Sequence, residues 1–229
     1  VIRCTLRRMT KTRLLAGIFA ALVAAAILAM VFIPSVEFLV GGAMVNVGFR
    51  LQDRLSHYDF EHDESISPDD IWAELKRQNE LAAGIRGIFP RTVRHPVVAI
   101  LACMDARIDT SELVGDTRRY YYNVRTAGSA LAPAEQEMLE LAVVNGGQVV
   151  GLTTHTDCAA EGAAADPELR AKFPALAEIM DNRTQHIDDF MERPIIQEAI
   201  EAGELTIKYA RIDTATDRLV VDEIPHLDD

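Results

Sequence analysis

Three groups that can do chemistry stand at alternate positions after one apolar run: the thiol of Cys103, the carboxylate of Asp105 and the guanidinium of Arg107. The run is Val97-Val98-Ala99-Ile100-Leu101-Ala102, entered through Pro96, and it reads as a strand buried in a parallel sheet. A second run, Gln148-Val149-Val150-Gly151-Leu152-Thr153-Thr154, leads into His155-Thr156-Asp157-Cys158. Sites in open α/β sheets lie off the carboxyl ends of strands, so two neighbouring strands would deliver Cys103, His155 and Cys158 to one sheet edge. Two thiolates and an imidazole are three ligands for zinc. Three protein ligands and an open fourth position are the catalytic pattern, and no further Cys or His lies nearby to close the set.

Each cysteine also has a plainer reading. Free Cys often serves as a small buried hydrophobe, and outside the cytoplasm Cys103 and Cys158 could pair in a disulfide. Neither reading explains why Asp105, Arg107 and His155 accompany them at strand ends, so zinc is expected. Zinc lowers the pKa of a water it holds to about 7, which supplies hydroxide to attack an electrophilic carbon such as that of CO2. Asp105 can accept a hydrogen bond from that nucleophile, and Arg107 can hold Asp105 in a two-point pair. His155 should donate its free ring N–H to a further acceptor, which the sequence does not show.

The pattern C-x-D-x-R at Cys103–Arg107, followed by H-x-x-C at His155–Cys158, resembles the β-class carbonic anhydrases, in their short prokaryotic branch. The resemblance runs from Ser67 to Val221. Arg125-Thr126-Ala127-Gly128 matches the R-N-A-G turn of that family with Thr for Asn, and Ala159-Ala160 stand where Gly usually follows the second Cys. The resemblance implies a zinc lyase for the reversible hydration of CO2 to bicarbonate and a proton. It assigns Cys103, His155 and Cys158 to the metal and Asp105 and Arg107 to catalysis. It also implies a homodimer or larger homo-oligomer, and a second state, found in some members, in which the Asp moves onto the zinc. Two other functions stay open. Enzymes with the same ligands hydrolyse carbonyl sulfide or carbon disulfide, linear triatomics like CO2. The non-catalytic alternative is a zinc-bearing subunit of a membrane complex, against which the intact Asp105–Arg107 pair argues.

The chain has 229 residues, enough for a domain and an appendage, and its three Cys are too few for a disulfide scaffold. Net charge is -12, yet residues 1–13 hold five cations (Arg3, Arg7, Arg8, Lys11, Arg13) and no acid. So acidic a body excludes nucleic acid as a partner, because phosphate binding needs a basic face. Leu14 to Ile33 is 20 residues without a charge, long enough as a helix to cross about 30 Å of hydrocarbon. The cations before it favour an N-terminus inside and a periplasmic or otherwise extracytoplasmic body. A cleaved signal, with a small-residue site at Gly41-Gly42-Ala43, and a buried soluble helix are the rivals.

The expected organisation is a basic cytoplasmic tail (1–13), a transmembrane anchor (14–33), a juxtamembrane segment with an acidic linker (34–66), and a zinc-dependent domain (67–229). The fold class is α/β, a mostly parallel central sheet flanked by helices and preceded by one transmembrane helix. Ser67 should cap a helix with Pro68 at its first position and with Ile71, Leu75 and Ala82 on its packed side. Asp109 to Val114 reads as a short helix closed by Gly115, and Tyr120 to Arg125 as a strand beside the first. Pro133 to Asn145 reads as a helix packing Ala134, Met138, Leu141 and Ala142. Glu161 to Ala165 reads as a loop, Asp166 to Asp181 as a helix, and Thr184 to Ala202 as a helix interrupted at Pro194. Strands follow at Glu204 to Ala210 and Arg218 to Val221, the last antiparallel at the edge. His57 and His62 read as solvated loop residues and Trp72 as a packing residue.

Overall fold

The computed structural model describes residues 2–88, 94–115 and 117–221, with the side chains of residues 2–13, Glu112, Thr117 and Arg118 outside the description. The chain divides into two compact units, Val1–Arg91 and Thr92–Asp229. The five cations expected in the tail, and residues 222–229 of the expected zinc domain, therefore lie outside the described side chains and residues respectively.

The first unit holds three helices: α1 (Ile2–Phe32), α2 (Pro34–Gln52) and α3 (Pro68–Ile88). Within α1, Leu14–Phe32 is a stretch of 19 residues long and apolar enough to cross a membrane, and none of it is buried. Pro34 breaks the helix for one residue only. Ile33 turns to extended backbone (φ -116, ψ 101), and Pro34 then opens α2 at a first-turn position, where its missing N–H costs nothing. The stretch after Pro34, which carries three glycines in the sequence, is thus a continuous helix.

The linker is built from aspartate turns. Asp59 accepts the N–H groups of Glu61 and His62, and Asp63 accepts that of Ser65. His62 stays exposed, its Nδ1 at 3.0 Å from Asp59. Ser67 caps α3 as expected: its hydroxyl accepts the Asp70 N–H at 3.2 Å while Asp70 accepts the Ser67 N–H at 3.0 Å. Of the side of α3 expected to pack, Ile71 is half-buried while Leu75 and Ala82 are exposed. Trp72, Leu75, Leu81, Ile85 and Ile88 are all exposed, and the residue it buries is Glu74, which pairs with Arg54.

The second unit is an α/β layer structure around a five-stranded sheet. Its elements are β1 (Val98–Cys103), α4 (Thr110–Val114), α5 (Thr117–Tyr120), β2 (Tyr121–Thr126), α6 (Pro133–Val144) and β3 (Val149–His155). These are followed by α7 (Ala159–Ala165), α8 (Pro167–Lys172), α9 (Pro174–Asp181), α10 (Arg183–Met191), α11 (Pro194–Glu201), β4 (Thr206–Asp213) and β5 (Arg218–Val221). The strand order is β2-β1-β3-β4-β5. The first four strands are parallel and β5 is antiparallel at the edge. Cys103 pairs in register with Thr126, and His155 with Ile212, so the chemistry-bearing residues end their strands on the same edge.

The core lies between the sheet and its helices: Leu101, Val150 and Leu152 from the strands meet Leu139, Phe190 and Ile196 from α6, α10 and α11. Each large side chain buried there contributes about 1.5–3 kcal/mol. Helix α6 buries Ala142 as expected, but the rest of its inward face is not the one expected. Gln136, Leu139 and Ala142 are buried, while Met138 and Leu141 are more than half exposed. Gln136 earns its place by donating to the carbonyls of Leu131 and His186. The stretch after Cys158, expected as a loop, is helix α7, because seven small or helix-forming residues run unbroken to Asp166. The helix expected over 166–181 is two, since Pro174 cannot continue α8.

Candidate metal centre

Cys103 is the last residue of β1 and His155 the last of β3. Asp157 takes a left-handed conformation (φ 55), which turns the chain back so that Cys158 sits at the head of α7. The two Sγ atoms and the ligating nitrogen of His155 lie within 4.8 Å of one another, all three residues buried. Both cysteines are free thiols, which excludes the disulfide reading.

The donor set fits zinc on an observation of its own. The His155 ring places Nδ1 at 2.8 Å from the Thr156 carbonyl oxygen, so Nδ1 carries the proton and Nε2 keeps a lone pair. That Nε2 is buried and has no hydrogen-bond partner. A buried, unpaired nitrogen beside two thiols is costly without a ligand, and a cation held by all three satisfies it. Thr156 is also the acceptor that the sequence left unidentified. Burial pushes the Cys158 thiol up, and the nearby Cys103 adds to this, while the N–H groups of Glu161 and Ala160 oppose it. A dication bound there would favour the thiolate form that ligates it.

Asp105 stands outside this cluster because Arg107 holds it. Arg107 Nε donates to Oδ1 at 3.0 Å and Nη2 to Oδ2 at 2.8 Å, and the Arg107 backbone N–H donates to Oδ1 at 2.9 Å. The side-chain bonds and then the backbone bond hold the Asp105 carboxyl well below the usual carboxylate range. Arg107 Nη2 also donates to the Asp157 carbonyl at 3.0 Å, which ties the loop after β1 to the loop after β3.

No protein-family model and no curated relative matches the chain. Solved structures do. The β-carbonic anhydrase CcaA aligns at 16% identity over 66% of this chain and 85% of its own, with a TM-score of 0.51. The fold is that of the β-carbonic anhydrases. The β-carbonic anhydrase CafA of Aspergillus fumigatus aligns at 18% identity over 67% of this chain and 90% of its own, with a TM-score of 0.50. A tetrameric β-carbonic anhydrase of Sordaria macrospora aligns at 18% identity over 67% and 96%, with a TM-score of 0.49.

Within this β-carbonic-anhydrase fold, the structure brings together every residue the motifs singled out: Cys103, Asp105, Arg107, His155 and Cys158. Arg125 joins them, though not in an ion pair. Its Nε donates to the Cys103 carbonyl at 3.1 Å and its Nη2 to the Asp105 carbonyl at 2.7 Å, so it clamps the backbone of the site loop. Sequence reading missed the contribution of Gly128, whose backbone N–H donates to Cys103 Sγ at 3.3 Å. It missed Arg183 altogether; that residue lies on α10 and reaches the Gly128 carbonyl at 2.7 Å. Gly128 sits in the matched turn and so carried a signal, whereas Arg183 is one cation on a helix surface and carried none.

Proposed function

We propose that this chain is a zinc-dependent enzyme that hydrates CO2 reversibly to bicarbonate and a proton. The observation that carries the reading is the unpaired Nε2 of His155 facing two free thiols, with Asp105 drawn aside by Arg107. Cys103, His155 and Cys158 would hold the metal. Zinc so bound would supply a water activated near neutral pH to attack the carbon of CO2. Asp105, kept ionised, would accept a hydrogen bond from the nucleophile and fix its orientation, while the proton released goes to solvent. Arg107 keeps that carboxylate off the metal position and locks it to the loop after β3. Arg125 fixes the carbonyls on either side of Met104, so that the thiol and the carboxylate keep their spacing.

The test is stopped-flow CO2 hydration on the purified chain, with zinc measured on the same sample. Hydration with one zinc per chain supports the reading. Zinc without hydration, but with turnover of carbonyl sulfide or carbon disulfide, transfers the site to those substrates. Zinc without turnover of any of the three leaves a metal-bearing subunit of a membrane complex.

The chain is further proposed to sit in a membrane by Leu14–Ile33 with its sheet unit outside the cytoplasm. The fully exposed apolar stretch of α1 and the cations before it support this. A homodimer at least is the proposed assembly, supported by the uncovered apolar side of α3 and by Met138, Leu141 and Val144 on α6.

A further inference from the structure

We infer that Arg183 is a positioning residue for the metal centre, a bridge that holds the two thiols at the separation one ion needs. The inference rests on the metal reading above. The two cysteines reach the site from separate parts of the chain, and the loops bearing them are joined on one side by Arg107. On the other side the join is Arg183. Its Nη2 donates to the Gly128 carbonyl at 2.7 Å and its Nη1 to Glu161 Oε1 at 2.6 Å.

One end of this bridge holds a turn that contacts a thiol, and the other holds the helix that a thiol heads. The Gly128 peptide whose neighbouring carbonyl is gripped donates its own N–H to Cys103 Sγ at 3.3 Å. Glu161 lies in the first turn of α7, the helix that Cys158 heads. One planar guanidinium therefore sets the turn over one sulfur and the helix under the other.

The surroundings leave it little freedom. Gly128 is left-handed (φ +61), and a Cβ there would lie 2.6 Å from Met180 Sδ and 3.1 Å from Arg183 Nη2. Met180 Sδ is itself 3.3 Å from Arg183 Nη2. The Arg183 side chain is only 20% exposed and its Nε is buried without a partner, so its two Nη arms alone fix the guanidinium. A lysine has one compact ammonium and cannot span both acceptors in a fixed plane.

The test reads zinc retention and not catalysis. Full-length protein in detergent is loaded with zinc, and the metal is drawn off with a competing chelator. Arg183→Met should lose zinc about 10–100-fold faster than wild type, the range for partners of metal ligands. Arg183→Lys should recover only part of this. Glu161→Gln, at a more exposed position, should speed zinc loss several-fold. Arg193→Met removes a comparable bridge to Glu140 that touches no ligand loop, and should leave zinc loss unchanged. In cobalt-loaded protein, Arg183→Met should shift the thiolate-to-metal charge-transfer band, because the Gly128 N–H no longer points at Cys103. A merely structural Arg183 would lower thermal stability and leave both readouts as in wild type, and that result overturns the inference. If Arg183→Met does not fold, an unchanged zinc-loss rate in Glu161→Gln overturns it. Wild-type protein that takes up no zinc overturns the metal reading, and this one with it; zinc held equally by wild type and variants overturns this one alone.

Discussion

Arg107 grips Asp105 through both carboxylate oxygens, at 3.0 and 2.8 Å, and so ties that carboxylate up beside the Cys103–His155–Cys158 cluster. Remove the guanidinium and a free carboxylate is left beside a dication, where an oxygen at about 2.0–2.2 Å is an acceptable zinc ligand. Arg107→Ala should therefore keep its zinc and lose hydration activity by on the order of 10²-fold or more at neutral pH. Arg107→Lys should rescue poorly, because an ammonium lacks the two-point grip. Rates like wild type in Arg107→Ala, with Asp105 found away from the metal in its crystal structure, would reduce the pair to a structural one.

Cys158→Ser should lose metal and activity together. A hydroxyl is a much weaker zinc ligand than a thiolate, and the remaining pair of ligands is too few for a stable site. Elemental analysis of the purified variant decides it: full zinc occupancy would remove Cys158 from the ligand set.

The acid limb of the rate profile should not belong to Asp105. Its pKa in the folded chain is depressed, by the Arg107 side chain first and then by the Arg107 backbone N–H. The stabilisation from this pair is therefore complete above the ordinary aspartate value of about 3.9 and is lost only as pH falls through the lower folded value. Carbon NMR of the Asp105 carboxyl should show no titration between about pH 8 and pH 4. A midpoint at or above the ordinary aspartate value of about 3.9 would mean that the pair does not form.

Gly128→Ala should be destabilised and hold metal poorly. The added methyl meets Met180 Sδ at 2.6 Å and Cε at 2.9 Å, and the residue must still adopt φ +61. Overpacking and left-handed strain each cost about 1–3 kcal/mol. Denaturant midpoints measure the sum. Adding Met180→Ala should recover the steric part and not the backbone part, so full recovery in the double variant would show that the backbone conformation matters little.

Protease added from the outside to cells with a permeable outer layer should digest the sheet unit and spare a cytoplasmic control. Protection of both would place the sheet unit inside and reverse the proposed orientation of Leu14–Ile33.

Much of this protein was legible in its residues because the signals are local. An unbroken apolar run before a thiol or an imidazole marks a buried parallel strand, and the Ser67–Asp70 cap and the Asp109–Gly115 helix are written in side chains that bond their own backbone neighbours. The candidate metal cluster was legible because zinc needs particular atoms, and those atoms end one strand or lie within three residues of the end of another. Only the tertiary structure decided what depends on distant chain segments meeting. Helix α6 carries apolar residues on more than one side, so its pattern could not choose Leu139 over Met138 and Leu141; the sheet behind it chose. Arg125 proved a clamp on two carbonyls because backbone acceptors leave no mark in a sequence. Arg183 meets Gly128 across 55 residues, a contact set by where α10 packs on the turn and by nothing in the residues between.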